Sequence, residues 1–157
     1  MRPRQSLETP GVIAPPPLIY AAGVGAGFAL EAILPSPSLP AAFRVVLGGA
    51  LLAAGLGLQG SFIALFRRAR TPVAPYQPTT ALVTDGPYRL TRNPGYLGFA
   101  LIAAAIGFLA DAVWVLAPLP VVLAIVHRGV VLREERYLEQ LFGERYLAYK
   151  ARTRRWL

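Results

Sequence analysis

Residues 45–66 read VVLGGALLAAGLGLQGSFIALF, twenty-two residues without a charge. As a helix rising 1.5 Å per residue they cover about 33 Å, enough to cross the roughly 30 Å hydrocarbon core of a bilayer. The composition agrees. Hydrophobic residues make up 55% of the chain and charged residues 15%, well under the roughly 25% charge of an average soluble domain. The whole length, 157 residues, suits one domain, and that domain reads as a membrane protein.

Working outward from this run, the segment upstream of it is the next most apolar. Residues 9–30 carry no charge, and the apolar character continues to Leu34. Pro15, Pro16 and Pro17 fit the first turn of a helix rather than its interior, so a span is expected over about 12–34, with Glu31 near its far end. Pro35, Pro37 and Pro40 then make a short turn. Downstream, residues 67–94 are polar and Pro-rich. Two shorter apolar segments follow at about 95–110 and 112–131, separated by Asp111 and read as a transmembrane hairpin. The expected architecture is all-α and polytopic, with about four transmembrane helices, the last two a short hairpin. A polar loop at 67–94 and amphipathic C-terminal helices over 132–157 complete one domain spanning 1–157.

Charge fixes the orientation. Arg2 and Arg4 precede the first span, and Arg67, Arg68, Arg70, Arg89 and Arg92 fill the middle loop. Seven bases lie in the tail between Arg133 and Arg155. The turns near Pro35–Pro40 and Asp111 hold none, although Arg44 follows the first of them. All three basic segments are therefore expected on the cytoplasmic side with both termini, as in an integral protein of a prokaryotic inner membrane. The net charge of +8 is juxtamembrane in pattern, which argues against nucleic acid as a partner.

Several chemistries are excluded. No cysteine is present, so there are no disulfides, thiolate metal sites or cysteine nucleophiles. The single His127 has no second imidazole with which to hold zinc, and no metal is expected. His127 reads first as an interfacial histidine without function. Gly23, Gly25 and Gly27 lack the strand and the acid of a dinucleotide fingerprint. With Gly55 and Gly57 they read as small residues that allow close helix packing.

Two polar blocks remain. One is Gly86-Pro87-Tyr88-Arg89-Leu90-Thr91-Arg92-Asn93-Pro94-Gly95-Tyr96-Leu97-Gly98. Its Gly-Pro and Asn-Pro turn signals let it fold back as a cap, and its tyrosines offer flat faces to a heterocycle. The other is Arg133-Glu134-Glu135. Acidic residues beside the inner leaflet work against its anionic lipids, so a pair directly after a span asks for a task. Beyond it, Leu138, Leu141, Phe142, Tyr146 and Tyr149 form an apolar stripe at helical spacing, with Gly143 placed to end one helix before a second begins at Glu144. Taken alone, the Arg residues and tyrosines also fit interfacial anchoring, the tail fits an amphipathic helix on the membrane surface, and the acids fit surface ion pairs.

Together these residues resemble the isoprenylcysteine carboxyl methyltransferase and phospholipid methyltransferase family of integral membrane enzymes. The similarity covers about Thr71 to the end. It includes Leu82-Val83-Thr84-Asp85-Gly86-Pro87-Tyr88, Arg92-Asn93-Pro94-Gly95-Tyr96-Leu97-Gly98, Arg133-Glu134-Glu135, Leu138, Phe142-Gly143, Tyr146, Tyr149 and Arg155. The resemblance implies S-adenosylmethionine as methyl donor and a lipophilic acceptor arriving from the bilayer. By motif, Tyr88, Arg92, Asn93, Pro94, Tyr96, Gly98, Glu134 and Glu135 would line the cofactor pocket, with Glu135, Arg92 and Arg133 at the reacting groups. Asn93 departs from the histidine usual in the carboxyl methyltransferase arm, which leaves the acceptor open between an isoprenylcysteine-type carboxylate and a phospholipid amine.

Two other readings compete. NADPH-dependent membrane sterol reductases share an Asn/His-Pro-Tyr block, but usually place an acid where Phe99 stands. A non-enzymatic four-span transporter using Glu31 would leave both polar blocks without a task.

Overall fold

The computed structural model describes residues 9–157, and Arg2 and Arg4 lie outside them. The described chain is all-helical; its only β pairing is an isolated bridge between Thr91 and Arg154. The helices run in chain order as α1 (Pro16–Ile33), α2 (Ala41–Arg68), α3 (Pro94–Leu109), α4 (Leu119–Val126), α5 (Leu132–Phe142) and α6 (Glu144–Arg152). Two 3₁₀ turns, Gly86–Arg89 and Val113–Leu116, precede α3 and α4. A π-helical turn, His127–Val131, joins α4 to α5 without a break.

Three helical stretches are long and apolar enough to cross a membrane: Pro16–Ile33, Ala41–Arg68 and Val113–Phe142. Pro94–Leu109 is apolar but shorter. The third stretch is not apolar throughout. Its hydrophobic part, residues 113–131, covers roughly 30 Å, and the polar residues from Arg133 onward follow it as part of the tail.

Local chemistry explains the helix ends. Pro16 occupies the first turn of α1 and Pro94 the first position of α3, where a missing N–H costs nothing. α2 begins earlier than residue 45, at Ala41, and so takes in Arg44. That cation is held 3.0 Å from Asp111 in the α3–α4 turn. The same Asp111 accepts from Ser38 and from the Leu39 N–H, while Glu31 accepts from Ser36 and from the Trp114 N–H. Among the described residues, the two acids outside the loop and tail thus tie down the turns at the far end of the bundle.

Glycines set the helix contacts. Gly23 and Gly27 of α1 lie against Val122 and Val115, and Gly48 and Gly55 of α2 against Leu109 and Ile102 of α3. Gly25 and Gly57 face nothing within 4 Å. At Gly55 a Cβ would stand 2.7 Å from the Ile102 side chain and 2.9 Å from the Gly98 carbonyl oxygen. Backbone cannot move aside cheaply, and overpacking of this kind costs about 1–3 kcal/mol. Gly55→Val is therefore expected to lower the thermal midpoint of the detergent-solubilised protein by roughly 5–10 °C. Gly57→Ala should leave it within a degree or two on the same scale.

The tail ends as the spacing predicts. α5 stops at Gly143, whose φ of +53° suits a residue without a side chain, and α6 starts at Glu144. The apolar stripe does not lie flat on a surface. Tyr146 and Tyr149 pack with Tyr88, and Phe62, Phe66, Leu138 and Phe142 surround them, so the tail is docked on the loop and on the end of α2. Leu141 stands apart from the stripe and is exposed, whereas Tyr137 is buried.

Candidate functional site

The docked tail and the loop enclose a cleft at the end of the bundle. It encloses roughly 850 Å³ of non-atom space, the open solvent at its mouth included. Its floor comes from the first turn of α3, its sides from α2, α5 and α6, and its cover from the strap 72–83. The first turn of α3 is fixed from two directions. Gln59 of α2 donates to the Gly95 carbonyl at 2.8 Å, and the Tyr20 hydroxyl of α1 donates to the Tyr96 carbonyl at 2.9 Å.

The strongest local interaction lies just behind the cleft wall. Arg92 donates to Glu135 at 2.8 Å and, through its other terminal nitrogen, to the carbonyls of Lys150 and Thr153 at 3.0 and 2.9 Å. These carbonyls lie at the C-terminal end of α6, where a cation is favoured. Arg155 closes on the same carboxylate with a two-pronged grip, both bonds 2.9 Å. The Arg92 and Glu135 side chains are only 8% and 7% exposed, so the pairing is shielded from water and salt. Burial works to raise the Glu135 carboxyl, but the hydrogen bonds from Arg155 and Arg92 outweigh it and hold the group below the usual carboxylate range.

Backbone bonds extend this junction. The Arg92 N–H donates to the Arg154 carbonyl at 2.9 Å, and Thr91 and Asn93 both donate to the Arg155 carbonyl, at 3.1 and 2.8 Å. The Tyr149 hydroxyl donates to the Tyr88 carbonyl at 2.7 Å. Residues 88–93 and 149–155, sixty residues apart in the chain, form one stitched seam.

Glu134 is placed differently from its neighbour. It lines the cleft, and the Tyr96 hydroxyl donates to it at 2.7 Å. No cation pairs with it among the described residues. Burial pushes its carboxyl up to about 7, against the lowering effect of the Tyr96 bond and with a smaller push from the Glu135 charge. Two adjacent glutamates are thereby shifted in opposite directions, Glu135 lowered within its ion pairs and Glu134 raised by burial. The Tyr88 hydroxyl is driven well above its ordinary range by burial and then by the Glu134 charge, so it stays protonated. The Arg92 Nε is buried without a hydrogen-bond partner, which leaves one unused donor beside the cleft.

The sequence-derived residues divide accordingly. Tyr88, Arg92, Asn93, Tyr96 and Glu134 line the cleft together. Pro94 is buried at the start of α3, and Gly98 lies against Gly55, Leu58 and Gln59 of α2. Glu135 sits behind the wall in the salt bridge. Arg133 is turned away, donating to the Gly11 carbonyl at 2.7 Å. Sequence reasoning did not single out Phe62 and Phe66 of α2, the strap residues Pro72, Val73, Ala74, Pro75, Thr79 and Ala81, or Tyr137, all of which line the cleft. Nothing distinguishes Phe62 and Phe66 from lipid-facing residues within their apolar run. Tyr137, whose hydroxyl accepts from the Thr79 N–H at 3.1 Å, follows the Glu pair closely enough to have been suspected.

Residues 43–145 match the family model described as phospholipid methyltransferase. The chain belongs to this family. The matched region takes in α2, the whole loop block and α5, and hence most of the cleft wall of this phospholipid methyltransferase family member. A curated relative is the cobalt-zinc-cadmium resistance protein CzcN of Cupriavidus metallidurans, 35% identical over 72 residues, which cover 46% of this chain and 33% of that one. The chain thus matches about a third of that relative's length. No solved structure matches. Among the described residues, no group of three or more His, Asp or Glu is placed to hold a metal ion.

Proposed function

We propose that the cleft binds S-adenosylmethionine and that the chain transfers its methyl group to a lipophilic acceptor reaching the cleft from the bilayer. Glu134 carries this reading: an acid without a cationic partner, half-buried in an aromatic cleft assembled from the blocks that the family shares. The donor set fits the cofactor's chemistry. Glu134 would pair with its ammonium group, the free Nε of Arg92 would serve its carboxylate, and Phe62, Phe66 and Tyr88 would cover its adenine. As a sulfonium the cofactor supplies an already activated methyl group, whose bond to sulfur breaks as the bond to the acceptor forms. The residues' own work is to hold both partners and exclude water.

Within this reading Glu135, Arg155, Pro94 and Gly98 position the site without touching the reacting groups, and Arg133 stays outside it. Arg92 combines both roles. The four apolar segments would all cross the membrane, with the loop, the tail and both termini cytoplasmic. The preferred acceptor is an isoprenylcysteine-type carboxylate or a related lipid group, which is already ionised at neutral pH and needs no base. A phospholipid amine is the second reading. It is favoured by Glu134, whose raised carboxyl could take the proton such an acceptor must lose.

The direct test is to incubate purified protein with methyl-labelled S-adenosylmethionine and a bacterial lipid extract. Label entering the organic phase is expected, and base-labile label would mark an ester product. No transfer of label to any lipid fraction would remove the proposal.

Cofactor affinity should also follow pH. Glu134 must be ionised to pair with a cation, so affinity is expected to rise between about pH 6 and 7.5 and then level off. Stability of the free protein has the opposite sign. A carboxyl whose folded value is raised binds more protons folded than unfolded, so this contribution is present at low pH and fades as pH rises from about 4.5 through 7. Equilibrium dialysis and thermal melts across that range check both slopes, and Glu134→Gln should flatten both.

A further inference from the structure

A second hollow lies on the other side of α3, in the seam between α3 and α4. It holds roughly 860 Å³, open space included. Tyr96 and Phe99 of α3 line the cleft, whereas Leu97 and Ala100 of the same helix line this groove. Leu123 and Ala124 form the opposite wall, and Trp156 closes the end nearest the tail. Ala100 and Ala124, one on each helix, are small, so no large side chain fills the seam between them. The neighbouring α4 side chains Val121 and Ile125 are exposed, so on a chain embedded in a bilayer the groove opens sideways into lipid.

The polar groups gather at one end. His127 and Arg128 line the groove where α4 passes into the π turn. The His127 Nδ1 is buried with no hydrogen-bond partner, an unfavourable arrangement unless something satisfies it. Its ring lies 6.2 Å from that of Trp156. Arg128 is exposed and pairs with no carboxylate among the described residues. Leu157 also lines the groove beside Trp156, and no acidic side chain does. Arg128 stands three residues before the apolar stretch ends at Val131, close enough for its long side chain to reach toward the headgroups. Basic pockets between membrane helices at that depth select anionic headgroups.

We infer that this groove is a binding site for a single-chain lipid with an anionic headgroup. Its chain lies between Ala100 and Ala124, and its head meets Arg128 and His127. The inference rests on the membrane placement of α3 and α4 and does not require methyl transfer.

The chain has two tryptophans, so Trp114→Phe leaves Trp156 as the sole fluorophore. In this background, protein in phosphatidylcholine nanodiscs is titrated with dibromostearate, whose bromines quench indole on contact. A chain-matched brominated trimethylammonium amphiphile and a brominated two-chain phosphatidic acid are titrated in parallel. Saturable quenching by dibromostearate is expected, about tenfold tighter than by the cationic amphiphile or the two-chain lipid. Arg128→Ala should abolish the headgroup preference, and Ala124→Phe should remove the saturable component. Quenching that rises linearly and equally for all three would mean that Trp156 and Arg128 are ordinary interfacial anchors, and would overturn the inference. Tighter quenching by the two-chain lipid would overturn the single-chain assignment. Both readouts are independent of turnover, so an inactive protein that still shows saturable quenching would count against the proposed reaction alone.

Discussion

Arg92→Ala is expected to release the tail from the loop while the membrane helices stay folded. The substitution leaves the buried Glu135 carboxylate with Arg155 alone and strips the Lys150 and Thr153 carbonyls of their donor. Removing one partner from a buried ion pair costs about 3–5 kcal/mol, because the remaining charge stays out of water. That sum falls on the docking of α6 and the last residues, which are held to the rest of the chain chiefly through this seam and the Tyr88, Tyr146 and Tyr149 cluster. Limited trypsin digestion should cut the tail of the variant at least tenfold faster than that of the parent, with the helical circular dichroism signal little changed. Arg92→Lys should not rescue, since an ammonium cannot serve the carboxylate and two carbonyls in the same fixed fork. Equal digestion of parent and variant would show that the seam does not hold the tail.

Glu134→Gln should give the complementary result, a folded protein that has lost its ligand. The amide keeps the size of the side chain and can still accept from the Tyr96 hydroxyl, but the charge is gone. A hydrogen bond to a charged group contributes about 1.5–3 kcal/mol, so cofactor affinity should fall roughly 10–100-fold. The thermal midpoint should stay level or rise above pH 7, because a neutral amide avoids the cost of ionising a buried carboxyl there. A large loss of stability with unchanged affinity would instead make Glu134 a structural residue. The two substitutions together separate the acid that holds the site in shape from the acid that faces the ligand.

That separation marks the limit of what the sequence discloses. Glu134 and Glu135 are adjacent, so on a helix they point about 100° apart, and either could have faced the cleft. The choice depends on the π turn at His127–Val131, which inserts an extra residue into the helix and rotates everything after it. No residue in His-Arg-Gly-Val-Val announces such a turn. The apolar segments, by contrast, are legible because hydrocarbon tolerates few charges for twenty residues. The prolines that open α1 and α3 and the glycine that ends α5 are legible because each fits one backbone conformation. The loop block and the tail were each visible from composition, and the resemblance linked them. That they line one pocket was implied by the resemblance; how they join was not visible, since the seam runs largely through backbone carbonyls that no side-chain pattern reveals. Phe62 and Phe66 were hidden for a different reason: an aromatic residue in an apolar run looks the same whether it faces lipid or a cleft.

The family assignment makes the chain a relative of membrane methyltransferases, and in the proposed reading the cleft is where that activity resides. Its aromatic walls, one acid and one unused guanidinium nitrogen suit an amino-acid-bearing nucleoside better than the apolar occupant that a simple gap between membrane helices would take. The acceptor would then be chosen by whatever reaches Glu134 and Tyr96 from the lipid side.

The most direct measurement is equilibrium dialysis of S-adenosylmethionine against the purified protein in detergent, with NADPH run in parallel. Saturable binding of S-adenosylmethionine near one equivalent is predicted, weakened by Glu134→Gln and by Arg92→Ala and unaffected by NADPH. Tight binding of NADPH without binding of S-adenosylmethionine would contradict the account.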